Sequence, residues 1–68
     1  MKLSARNVLK GKITKVTQGA TTAHVLIDVG GTTITASITN EAAADLKLKE
    51  GMAASAIIKS SDVMVGVG

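Results

Sequence analysis

Sixty-eight residues with a net charge of +3, one histidine, and no Cys, Phe, Tyr or Trp read as one small domain, 1–68, with no room for a second. Without cysteine, disulfides and thiolate zinc sites are excluded, and one histidine is too few for a metal cage, so no metal cation site and no cofactor is expected. A domain of this size buries only about 60% of the surface its unfolded chain exposes, and this one lacks the aromatic side chains that bury most, so homo-oligomerisation is the expected source of stability.

Glycine punctuates the chain, and β-branched residues fill the intervals. A first strand is expected over 8–17, with Gly11 marking a bulge or sharp bend. Its apolar residues split imperfectly, Leu9 and Ile13 on one face, Val8 and Val16 on the other. Gln18 and Gly19 form a turn. In a second strand, 22–29, Ala23, Val25, Ile27 and Val29 face one way, and Thr22, His24 and Asp28 the other. Leu26 falls on the outward face and would suit a subunit contact. Gly30 and Gly31 are the strongest hairpin signal in the chain. The third strand, 32–39, alternates Ile34, Ala36 and Ile38 with Thr and Ser. The period then changes: residues 40–46 are one short helix, N-capped by Thr39 or Asn40 and anchored by Leu46 and Leu48. A fourth strand covers 52–59, and after Ser60 and Ser61 a fifth covers 62–67. This order is that of an all-β, five-stranded OB-like Greek-key barrel with one short helix between strands three and four.

Charge is unevenly placed. Lys2, Arg6, Lys10, Lys12 and Lys15 precede the first acid, Asp28, whereas from Asp28 on three lysines face five acids. A basic N-terminal third fits an anionic partner, and equally a solvated lysine face that protects an edge strand. No apolar run is long enough to span a membrane, and no apolar signal region follows the basic N-terminus, so a cytoplasmic protein without a membrane partner is expected.

The chemistry lies in donors. Arg6, the one arginine, sits in Ser4-Ala5-Arg6-Asn7 and offers a planar fork of N–H groups with no acceptor. Thr39 stands where strand three meets the helix, whose first amides are unpaired. Lys59 and Ser60 close strand four at a tight turn. Taken singly, these are a tail, a cap and a solvated turn. Together, Ser4, Arg6, Thr39, Lys59 and Ser60 suit a dianion that carries no proton, such as molybdate, tungstate or sulfate. Hydrogen phosphate fits less well, because its proton asks for an acceptor. His24 reads as a surface residue. No acid–base pair, nucleophile arrangement or phosphate loop is present, so catalytic residues are not expected.

Ser4-Ala5-Arg6-Asn7 followed by Gly11, Gly19-Ala20 before strand two, Ile38-Thr39-Asn40-Glu41-Ala42, and Ile58-Lys59-Ser60-Ser61-Asp62-Val63 closely resemble the molbindins, the Mop-type molybdate-binding domains. The resemblance covers essentially the whole chain. It implies an OB-like barrel assembled as a hexamer, a trimer of dimers, that holds molybdate or tungstate between subunits for storage or buffering. It maps the principal oxyanion site to Ser4, Arg6, Lys59 and Ser60 of one subunit and Thr39 of its neighbour, with backbone amides of Ala5 and Asn7. A second site is implied around Gly19, Ala20, Thr21 and Thr22. His24 and Thr22 depart from the acidic residue and asparagine often found there in the family, which bears on the second site only. The competing reading is a small basic OB module that binds RNA or single-stranded DNA. Such modules stack bases on aromatic side chains, and this chain has none, so no nucleic-acid partner is expected.

Overall fold

The computed structural model describes residues 3–68. Four antiparallel strands and one short helix follow the chain: β1 (Asn7–Gln18), β2 (Thr22–Asp28), β3 (Thr33–Thr39), α1 (Asn40–Asp45) and β4 (Ala53–Ile58). The strands form one sheet in the order β3-β2-β1-β4. β1 is its organiser. Its first half pairs with β4, from Asn7 opposite Ile58 to Lys12 opposite Ala53, and its second half pairs with β2, from Lys12 opposite Asp28 to Gln18 opposite Ala23. The two ladders overlap at Lys12 alone, so the sheet curls into a half-barrel instead of lying flat.

Two local features make that curl possible. A bulge interrupts the β1–β2 register between Ile13 and Lys15, which bends the strand and increases its twist. The expected bulge at Gly11 is thus displaced a few residues along the chain. Gly11 serves a different purpose: a Cβ there would overlap the backbone carbonyl of Asp28 and lie 2.9 Å from a methyl of Val29. β1 crosses the end of β2 too closely for any side chain.

The β2–β3 hairpin is as expected. Gly30 and Gly31 take φ of 88° and 94°, the positive values that a two-residue type I′ connection needs at both positions. The Asp28 carboxylate accepts the Gly31 amide at 2.8 Å, and the Val29 amide donates to the Thr32 carbonyl at 2.8 Å. β2 then buries Ala23, Val25 and Ile27 and exposes Thr22, His24 and Asp28, the alternation of a half-buried strand. Ile13 and Val25 are the largest fully buried side chains, each stabilising by about 1.5–3 kcal/mol. Ala43 of α1 and Ala56 of β4 complete the buried set among the described residues.

The helix is held by its ends. Thr39 caps it: the Thr39 hydroxyl accepts the Ala42 amide at 3.0 Å. At the other end the Leu48 amide reaches the Ala43 carbonyl and the Lys47 amide reaches that of Ala44, with Lys47 at φ 53°. This is a Schellman stop with lysine in the left-handed position usually given to glycine. Ala43, not Leu46, faces the core, and Leu46 is 60% exposed.

The fifth strand is the one element the sequence reading has wrong. Residues Ser60–Asp62 form a 3₁₀ turn, and 63–68 run on with no strand pairing. The apolar alternation that suggested a strand is present, but no sheet edge of the same chain receives it. The architecture is an all-β half-barrel of four strands.

Candidate functional site

The donors fall at the two ends of β1. At its start, Asn7 stands opposite Ile58 in the β1–β4 ladder, and the Asn7 side-chain amide donates to the Ile58 carbonyl at 3.2 Å. This latch joins segments fifty-one positions apart. The chain entering β1 through Ser4, Ala5 and Arg6 and the chain leaving β4 through Lys59 and Ser60 therefore flank the same sheet end. Ser4, Arg6, Lys59 and Ser60 are exposed, and Ala5 and Asn7 are half-buried. Lys59 is extended and starts the 3₁₀ turn, in which its carbonyl accepts the Asp62 amide at 2.9 Å and that of Ser60 accepts the Val63 amide at 3.2 Å. The first amides of such a turn have no acceptor inside it and point outward. Two fixed positive charges, two hydroxyls and free amides thus share one exposed corner.

Thr39 does not join them within the chain. It pairs with Thr22, and Thr22 lies just beyond the Gln18 end of the twelve-residue β1. A strand of that length separates its ends by roughly 30 Å or more. The Thr39 oxygen is occupied as the helix cap, which leaves its O–H free to donate outward.

Thr39 instead neighbours the second candidate group. The Asn40 amide donates to the Thr21 carbonyl at 3.0 Å, and the Asn40 side-chain amide donates to the Gly19 carbonyl at 3.0 Å. The turn itself is closed by the Gly19 amide on the Thr22 carbonyl at 2.8 Å. A shallow hollow of about 340 Å³ lies here, lined by Gly19, Ala20, Thr21 and Thr22 together with Thr17 and His24. The Thr21 and Thr22 hydroxyls stand 3.4 Å apart. Sequence reasoning placed Gly19, Ala20, Thr21 and Thr22 together but missed Asn40, which ties them to Thr39. An asparagine directly after a capping threonine is the available signal, which the sequence reading takes as an alternative cap and as part of the family motif, without a tie to Gly19. The Asn40 side-chain carbonyl is buried and has no hydrogen-bond partner among the described residues.

Among the described residues no three His, Asp or Glu side chains gather as a metal would require. Nor, among those residues, is any helix long and apolar enough to cross a membrane.

The TOBE domain model matches residues 3–65. The chain belongs to the TOBE domain family. Within it, this TOBE domain is 46% identical over 66 residues to molybdenum-pterin-binding protein 3 of Clostridium pasteurianum, covering 96% of this chain and 97% of that protein. A molybdate-binding protein from Sporomusa ovata superposes with a TM-score of 0.95 at 33% identity, covering 98% of this chain and all of the other. The cytoplasmic molybdate-binding protein ModG, in a molybdate-bound form, superposes with a TM-score of 0.95 at 48% identity, and the chain spans 49% of it. The family suggested by the motifs around Arg6, Thr39 and Lys59 is the one found.

Proposed function

We propose that this TOBE domain, acting as one unit over 1–68, binds molybdate or tungstate reversibly at subunit interfaces of a homo-oligomer and performs no chemistry on it. A molybdate-binding protein of near-equal length supports the ligand class, and a relative named for binding molybdenum-pterin agrees with the element. The observation that carries the interface is the placement of donors at opposite ends of β1. An oxyanion stripped of water needs a donor for each oxygen. Ser4, Arg6, Lys59 and Ser60 of one subunit, with the backbone amides of Ala5 and Asn7, supply one side. Thr39 of a neighbouring subunit supplies the other. Arg6 and Lys59 provide the charge, and the hydroxyls and amides provide the tetrahedral arrangement. An all-donor site also disfavours hydrogen phosphate, whose proton finds no acceptor. The hollow at Gly19, Ala20, Thr21 and Thr22 is the proposed second site. The assembly is a hexamer, a trimer of dimers, and the role is storage or buffering in the cytoplasm, the compartment named for ModG.

Titration calorimetry with molybdate, with sulfate as control and light scattering for assembly, tests this reading. At least one tight molybdate per subunit, bound by an oligomer that largely ignores sulfate, is expected. No binding, with retention on a single-stranded DNA column instead, would give the reading to the nucleic-acid alternative.

A further inference from the structure

We infer that His24 supplies the positive charge of the hollow between Gln18 and Thr22. The hollow then holds an oxyanion while the His24 imidazole is protonated and releases it when the proton is lost, whereas the principal site keeps its own. The inference rests on the proposed second site and adds its control.

Three observations meet here. First, the turn engages its acceptors and leaves donors open. The Gly19 carbonyl accepts the Asn40 side-chain amide, the Thr21 carbonyl accepts the Asn40 backbone amide, and the Thr22 carbonyl accepts the Gly19 amide. The Ala20 and Thr21 amides donate to no acceptor among the described residues. Carbonyls already engaged repel an anion less than free ones, and successive open amides in a turn attract it. The Thr17, Thr21 and Thr22 hydroxyls border the same hollow and can each donate one hydrogen bond more.

Second, the hollow carries no fixed charge. His24 is the one ionisable residue in its lining. Amides and hydroxyls can order the oxygens of a dianion, but drawing its charge out of water without a counter-charge is costly. The principal site meets that need with Arg6 and Lys59, residue types that stay charged throughout the neutral range. Imidazole gains and loses its charge between about pH 5 and 8. The two proposed sites therefore differ in how they answer to protons.

Third, nothing around His24 fixes it in one state. It is exposed on the outward face of β2. Opposite it stand Thr17 of β1 and Ser37 of β3, both uncharged. The next row holds Lys15, Leu26 and Thr35, and the row before it Thr22 and Thr39. Lys15 disfavours a second cation nearby, while Glu41 and Asp45 of α1 favour it. None of these three lines the hollow. Asp28 closes the far end of β2 and accepts the Gly31 amide. The group left to set the charge of His24 is the anion itself. By linkage, an anion that binds beside imidazolium takes up a proton once the pH exceeds the pKa of the free imidazole. From there its affinity for the hollow falls about tenfold per pH unit.

The test uses the full chain, with molybdate as the probe. His24 is the one histidine, so its ring proton resonances are read by nuclear magnetic resonance without ambiguity. Their titration midpoint is expected to move to higher pH when molybdate is present. In calorimetry a weaker class of site is expected at pH 6 and is expected to be lost by pH 8, with the tight class present at both. His24→Gln should lack the weaker class at pH 6. His24→Lys, whose charge persists at pH 8, should hold that class there. An unmoved midpoint, a weaker class that survives at pH 8 in the unaltered protein, or its persistence in His24→Gln at pH 6 would overturn the inference while the tight class stands. Absence of the tight class itself would overturn the anion reading and this inference with it, so the two failures are distinguishable.

Discussion

The two ends of β1 differ in kind. At the Gln18 end the geometry is fixed and no lysine or arginine is at hand: Asn40 holds the Gly19 and Thr21 carbonyls, Thr39 caps the helix, and the hollow beside them is lined by Thr17, Thr21 and Thr22 with Gln18, Gly19, Ala20 and His24. At the Asn7 end the charge is present and cover is missing: Arg6 and Lys59 are exposed beside a single side-chain latch. On the proposed reading, the rigid end of one chain and the charged, open end of another complete the principal oxyanion site between them, with the hollow at the rigid end as a second. Exposed cations interact weakly with an anion in water, and the same cations become strong partners once a neighbour excludes solvent.

That contrast can be broken in order of expected effect. Arg6→Ala removes one partner of a charge-assisted contact at the open end and should weaken molybdate binding by about 2–5 kcal/mol, with the melting temperature of the anion-free protein nearly unchanged. A large stability loss instead would mean that Arg6 serves the fold. Gly11→Val acts midway, where β1 crosses Asp28 with no room for a Cβ. It should destabilise by about 1–3 kcal/mol in denaturant titration, as overpacking does, and disturb both ends together. Asn40→Ala acts at the rigid end alone. Losing its bond to Gly19 should cost about 1 kcal/mol of stability, while affinity falls less than for Arg6→Ala. The smallest effect is a gain. Lys47→Gly relieves a left-handed non-glycine residue away from both ends and should stabilise by at most about 1 kcal/mol, seen as a small rise in melting temperature with unchanged molybdate affinity.

Much of the fold was legible because its signals are local. The two glycines of the β2–β3 hairpin, the alternation of Ala23, Val25 and Ile27, and Thr39 before an alanine run each dictate geometry within a few residues. The bulge near Thr14 was not legible, because it appears only in the register of β1 against β2, and the glycine that suggested it, Gly11, answers instead to the close approach of Asp28. The fifth strand failed for a related reason. Residues 63–68 have a strand's composition, but whether a strand finds an edge in its own chain depends on where the Ser60–Asp62 turn sends it. For the candidate site, donor chemistry proposes Ser4, Arg6, Thr39, Lys59 and Ser60 from residue type alone. That these divide between two ends of one strand appears only in the register, as does the part played by Asn40.

The central claim, that Arg6 and Thr39 serve one anion from two different chains, is tested most directly by complementation. Arg6→Ala and Thr39→Val proteins, each first shown to bind molybdate weakly, are mixed in equal amounts from denaturant, refolded together and titrated with molybdate. If the site spans two subunits, random mixing should restore tight binding at about a quarter of the sites. Recovery of no tight sites, or wild-type affinity in Thr39→Val alone, would contradict the account.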